Sequence, residues 1–409
     1  MKTFHGWRMV AAGSAIQFMQ AATLHQAFGA YFAALVDEKG WSKTALSGVA
    51  VMQPMEAALL GPALGWIVDR FGPQGMIRIG IVMFGIGFML LSLIDSLPGF
   101  YAAFLVIALG SSLCGFFPIN VAIIHWFHRL RARALSSVGL GLALGGLLVP
   151  LVAASIERFG WRSTALASGC LVIIIGWPLA QVFRRHPADL GQTVDGLPPA
   201  PDGAEHDPLG DRDQQEFTAR QALRTRAFWF ISFGHGLALM IVYAINVHAI
   251  THMKEGLGYT LGQASLIITL MTAFQAFGVL LGWWIGDRFD KARIAAGCML
   301  LHGAGLLLLT WANGTAMLIG FAVLHGTGWG LRGPLMQAIR ADYFGRRSIG
   351  MILGLSALII AFGQVGGPMI TGALADVTGS YNAGFTLLAV LVSAGSLFFL
   401  LSRPPQLRV

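Results

Sequence analysis

The chain has 409 residues, 56% of them hydrophobic and only 11% charged, a balance far too apolar for a soluble protein of this length. Its net charge of +8 does not point to nucleic acid, because the basic residues gather in short stretches between apolar runs rather than on one polar face. The three cysteines, Cys114, Cys170 and Cys298, sit in apolar windows without metal-type spacing, and no phosphate loop, metal cluster or nucleophile–base pattern is present, so neither a metal site, a cofactor nor an enzyme is expected.

Apolar segments predict an all-α membrane protein of twelve spans, at roughly 9–35, 44–68, 75–94, 100–127, 134–156, 163–183, 226–250, 261–285, 293–311, 315–341, 348–374 and 382–402. The first follows Lys2 and Arg8 and is too long for a signal-peptide core, so it reads as a retained span. Span two carries Glu56 at its centre, the one acidic residue expected at depth, and closes on Asp69-Arg70. Glu56 reads either as a proton-coupling carboxylate or as a protonated, hydrogen-bonded packing residue. Between spans six and seven, residues 184–224 are rich in Pro, Gly and Asp and predict a flexible cytoplasmic linker. Thr218 to Arg224 reads as a short interfacial helix or as plain linker end. The linker separates an N-terminal bundle over 1–183 from a C-terminal bundle over 225–409.

Span ten holds the residue that is hardest to explain structurally. Arg332 lies a few residues past the midpoint of 315–341, beyond easy snorkelling reach of either interface. A charge there costs a few kcal/mol and calls for a polar cavity or a partner. His325, Trp329, Arg332 and Met336 share its helical face, while Gly326, Gly330 and Gly333 form an adjacent smooth face suited to close packing. His325 reads as a proton carrier or as a satisfied interior histidine.

Two halves repeat. Gly40-Trp41-Ser42 and Trp66-Ile67-x-Asp69-Arg70-Phe71 recur as Gly258-Tyr259-Thr260 and Trp284-Ile285-x-Asp287-Arg288-Phe289 at one offset of 218 residues. Two pseudo-symmetric six-helix bundles in parallel orientation follow, with a substrate site expected between them near the midplane. With the N-terminus inside, 21 of the 27 basic residues fall on the inner side, which assigns both termini to the cytoplasm.

Gly65-x-x-x-Asp69-Arg70-x-Gly72, its weaker copy at Asp287-Arg288, the span count, the central loop and the repeat together resemble the major facilitator superfamily. The resemblance implies gating roles for Asp69, Arg70, Asp287 and Arg288, with Asp69 latching the start of span eleven and Asp287 the start of span five. Pro73-Gln74 replace the basic residues that usually follow the motif. His5-Gly6-Trp7, Trp126-Phe127-x-Arg129-x-Arg131, Ala222 to Trp229 and Arg340 to Arg347 are similar to the bacterial monocarboxylate and oxalate/formate branch, which implies a bacterial cytoplasmic (inner) membrane. Spans eight and eleven lack the charge that this branch commonly places there, so lactate or oxalate is not inherited as substrate.

The first and fourth helices of each half line the pore in this family. That adds Gln20 and Phe28 on span one, Phe117 and Asn120 on span four, and Tyr243 and Asn246 on span seven to Arg332, His325 and Trp329 as candidate substrate contacts, the amides because they are costly against lipid. The expectation is a monomeric secondary transporter moving a small organic anion, a mono- or dicarboxylate, with protons or a counter-substrate. The alternatives are a carrier of neutral or cationic compounds in which Arg332 is structural, and a transport-dead sensor.

Overall fold

The computed structural model describes residues 4–25, 27, 31, 34–35, 38–41, 43–145, 148–197 and 216–406. Among these there are helices and no strands, in two compact units, Met1–Pro208 and Leu209–Val409.

In the first unit α1 spans His5–Gln20 and runs on as a π-turn over Ala21–His25; then come α2 (Lys43–Phe71), α3 (Pro73–Ser92), α4 (Leu97–Cys114), α5 (Phe116–Trp126), α6 (Arg131–Gly145) and α7 (Val149–Ala180). Local chemistry sets the joints. Gly72 takes φ 80°, which a side chain would resist, and Pro73 opens α3 with its preset φ. Ser96 caps α4 by accepting from the Gly99 N–H. The expected loop between spans five and six shrinks to one corner inside α7, at Gly160 with φ 79°. Span four is not continuous either. It breaks at Gly115, where a Cβ would stand 2.4 Å from the Ser111 carbonyl and 2.8 Å from Gln20 Oε1.

In the second unit α8 spans Ala219–Leu223, α9 Arg226–Thr251 with a π-turn over His252–Gly256, α10 Leu261–Ile285, α11 Lys291–Thr310, α12 Thr315–Phe344, α13 Ile349–Thr378 and α14 Asn382–Leu401. Thr225, Thr260 and Asp290 cap α9, α10 and α11 with their side-chain oxygens. Eight helical stretches among the described residues are long and apolar enough to cross a membrane. The sequence repeat reappears as packing. In unit one α3 lies on α4 and α7, α1 on α6, and α2 on α4; in unit two α11 lies on α12 and α14, α9 on α13, and α10 on α12. The contacts use small residues in the same way. A Cβ at Gly141 would stand 2.0 Å from the Ser14 carbonyl, and one at Gly363 2.1 Å from the Gly236 carbonyl.

The segment expected to be a flexible linker is structured at both ends. Asp195, at φ 59°, accepts hydrogen bonds from the backbone N–H groups of His128 (3.2 Å) and Arg129 (2.9 Å). Glu216 accepts from those of Arg346 (2.9 Å) and Arg347 (2.6 Å), two positions related to His128 and Arg129 by the offset of 218. Phe217 then donates its N–H to the Phe344 carbonyl at 3.0 Å, and a reciprocal Thr218–Gln221 capping box starts α8. These residues escape the linker reading because a carboxylate against two adjacent backbone N–H groups needs no apolar core to hold it.

Candidate functional site

Arg332 is held on α12, which packs against α10 through Gly326 and Gly330. A Cβ at these positions would stand 2.3 Å from the Met271 carbonyl and 1.8 Å from the Gln275 carbonyl. Gly333 departs from the expected smooth face, since a Cβ there meets nothing within 4 Å. The arginine itself has no solvent exposure, and its Nε and Nη1 have no hydrogen-bond partner among the described residues. Among the described residues, the buried polar side chains of this unit include no Asp or Glu. The ionisable groups within electrostatic reach of Arg332 are His235, His302, His325, Arg340 and Cys298. A cation in such surroundings lacks the counter-charge that buried ion pairs ordinarily supply.

Sequence reasoning missed two members of this cluster. His302 on α11 meets His325 on α12, Nδ1 to Nδ1, at 3.1 Å. Arg340, expected among the cytoplasmic basic residues, is buried with 1% exposure because α12 runs on to Phe344 and keeps that turn inside the bundle. Its Nη2 donates to Ser356 Oγ (2.7 Å) and to His235 Nδ1 (3.2 Å), and its Nη1 to the Met336 carbonyl (2.9 Å). Ser356 in turn pairs with Ser232 at 2.8 Å, so α9, α12 and α13 are joined through one guanidinium. The deep cation is therefore not unique, but Arg340 is satisfied and Arg332 is not. The signal available in advance was spacing: His235, Ser356 and Arg340 lie within apolar stretches.

The remaining candidates divide. Trp329 lies beside His325, ring centroids 6.3 Å apart. Tyr243 is half-buried and its hydroxyl accepts from Gln364 at 3.3 Å, while Asn246 is exposed. In unit one Glu56 is 7% exposed; its Oε2 accepts from Ser112 Oγ at 2.7 Å, and its Oε1 has no partner among the described residues. Asn120 is 1% exposed with both amide atoms unpartnered, and Phe117 is half-buried. Gln20 is committed elsewhere, its amide nitrogen donating to the Ser111 carbonyl and to Cys114 Sγ, both at 3.1 Å, which makes it a tie between helices. Phe28 lies outside the described residues. At the end of α2, Arg70 sits 5.7 Å over Trp66, and Arg185 donates to the backbone carbonyls of Asp69 and Arg70. Arg288 sits 5.2 Å over Trp284 in the corresponding place, and neither Asp69 nor Asp287 is unpartnered.

The family model for the Major Facilitator Superfamily matches residues 10–249 and 231–409. The chain belongs to this superfamily. Its relatives include a human monocarboxylate transporter 11, 26% identical over 97% of this chain and 82% of that one, and a glycerol-3-phosphate transporter of Bacillus subtilis, 25% identical over 86% and 82%. Among solved structures, the human organic anion transporter MFSD10 (TETRAN) superposes with a TM-score of 0.72 at 14% identity, covering 96% of this chain and 99% of that one, a likeness of fold. The expected all-helical transporter fold thus stands, and the protein is an integral membrane transporter of the superfamily.

Proposed function

We propose that this transporter moves a small organic anion, a mono- or dicarboxylate, across a bacterial cytoplasmic membrane by alternating access, with both termini in the cytoplasm and Arg332 as the anion's anchor. The observation that carries the reading is the full burial of Arg332 with Nε and Nη1 unpartnered and no buried acid of its unit among the described residues. Each of those two donors can meet a carboxylate oxygen in a charge-assisted hydrogen bond. The relatives that are monocarboxylate and glycerol-3-phosphate transporters support an anion as cargo. Trp329 flanks the anion on the same helix. Asp69, Arg70, Asp287 and Arg288 govern the gating step.

The test is thermal stabilisation of the purified protein by pyruvate, succinate and glycerol 3-phosphate, with glycerol and choline as neutral and cationic controls. Pyruvate or succinate is expected to stabilise the wild type and to lose that effect in Arg332→Lys. Stabilisation by glycerol 3-phosphate alone replaces the carboxylate with a phosphate monoester, and stabilisation by choline or glycerol but by none of the anions returns Arg332 to the scaffold.

A further inference from the structure

The 3.1 Å contact between the Nδ1 atoms of His302 and His325 fixes how the two rings share protons. One Nδ1 carries the hydrogen and donates; the other offers its lone pair. In the neutral pair, the donating ring therefore has a bare Nε2 lone pair and the accepting ring has an Nε2–H. Both rings are wholly buried, and neither Nε2 has a partner among the described residues. A proton arriving at the bare Nε2 produces one imidazolium whose Nδ1–H still donates to its neighbour, so the pair accepts a proton without breaking the bond that joins α11 to α12.

We infer that the His302–His325 pair is a proton-binding site whose occupancy is linked to that of the anion at Arg332. This rests on Arg332 as the anion anchor. His325 precedes Arg332 by seven residues on α12, roughly 10 Å along the axis. Across a protein interior, one positive charge at that distance opposes a second by about an order of magnitude in binding. An anion seated on Arg332 cancels that opposition, and by reciprocity a protonated pair tightens anion binding by the same factor. The proton and the negative charge then occupy the unit together, as symport with a proton requires.

Elsewhere in this unit, His248 and His252 are engaged through Nε2 with the Pro368 and Leu309 carbonyls. The ionisable neighbours are Cys298 on α11, Arg332 and Arg340 on α12, and His235 on α9. His235 accepts from Arg340 at Nδ1 and is thereby committed. The helices α10 and α14 carry no ionisable side chain, and α13 carries only Asp376, near its outer end. The competing site is Glu56 in unit one.

Calorimetric titration of the purified full-length protein with pyruvate, succinate and glycerol 3-phosphate, in two buffers of different ionisation enthalpy, counts protons taken up per anion. The wild type is expected to take up part of a proton, and its Kd to fall about tenfold between about pH 8 and about pH 5. His302→Gln and His325→Gln are expected to keep the alkaline Kd throughout with no proton uptake, and in liposomes to retain anion exchange while losing accumulation driven by a proton gradient. Glu56→Gln is expected to match the wild type. Asn replaces Gln at either histidine if the first variant does not fold. Unchanged proton uptake in both histidine variants, or its loss in Glu56→Gln alone, overturns the assignment. Equal affinity in Arg332→Met overturns the anchor instead, and binding of none of the three anions overturns both.

Discussion

Replacing Arg332 by methionine should move stability and binding in opposite directions. Methionine nearly matches the length of the arginine stem and fills its volume, so the substitution removes the charge with little cavity. A charge-assisted hydrogen bond contributes about 1.5–3 kcal/mol. The unpartnered Nε and Nη1 point to different sides of the guanidinium, so one carboxylate gains one of them, about 1.5–3 kcal/mol or about 10- to 10²-fold in Kd. In the empty protein the same buried guanidinium is a burden, since an arginine at the centre of a membrane helix costs about 2.5–3.5 kcal/mol on insertion scales. Relieving it should stabilise the ligand-free protein by about 1–3 kcal/mol. Thermal unfolding of the two proteins, with and without succinate, reads both effects. The variant should unfold at a higher temperature when empty and show no shift with succinate. An empty variant that unfolds earlier than the wild type refutes the reasoning, because it means that Arg332 holds the scaffold together.

Gly330→Ala should cost about 1–3 kcal/mol by driving α10 and α12 apart, since the new Cβ would lie 1.8 Å from the Gln275 carbonyl; Gly333→Ala, open to 4 Å, should be neutral or stabilising by about 0.5–1 kcal/mol, and thermal unfolding separates the two. Asp195→Asn and Glu216→Gln each weaken two charge-assisted contacts to backbone N–H groups, so hydrogen exchange at His128–Arg129 and at Arg346–Arg347 respectively should accelerate, each variant affecting its own half only. On the opposite side, the indole of Trp161 and then Arg162 hold Glu38 below its usual range, and Lys39 followed by Arg162 does the same for Asp95. A carboxyl depressed in the folded state stabilises at neutral pH and loses that contribution as pH falls through its folded value, below the usual carboxylate range. Arg162→Gln should therefore lower the unfolding temperature at pH 7 and leave it nearly unchanged near pH 3; an equal loss at both values would show that the residue acts by packing on Trp161.

Much of the architecture needed only the order of the residues. A membrane is a solvent with one demand, that backbone polar groups be satisfied within the segment, so long apolar runs can become nothing but helices and their number and repeat follow from the chain alone. The same logic flagged Arg332 and Glu56, because depth along a helix is a count of residues. What the order of residues did not settle was which neighbour each face meets. Gln20 looked like Asn120, an amide in an apolar helix, yet the break at Gly115 turns Ser111 and Cys114 towards the first and leaves the second without partners. Arg340 looked like a residue at the membrane surface until α12 proved long enough to carry it inward to Ser356 and His235. His302 has no distinguishing context in its own helix and becomes legible only beside His325, since a pair is made by packing between helices 23 residues apart in sequence. Periodicity fixes the angle at which a side chain leaves its helix; the close approach of glycine-lined helices decides what lies at that angle.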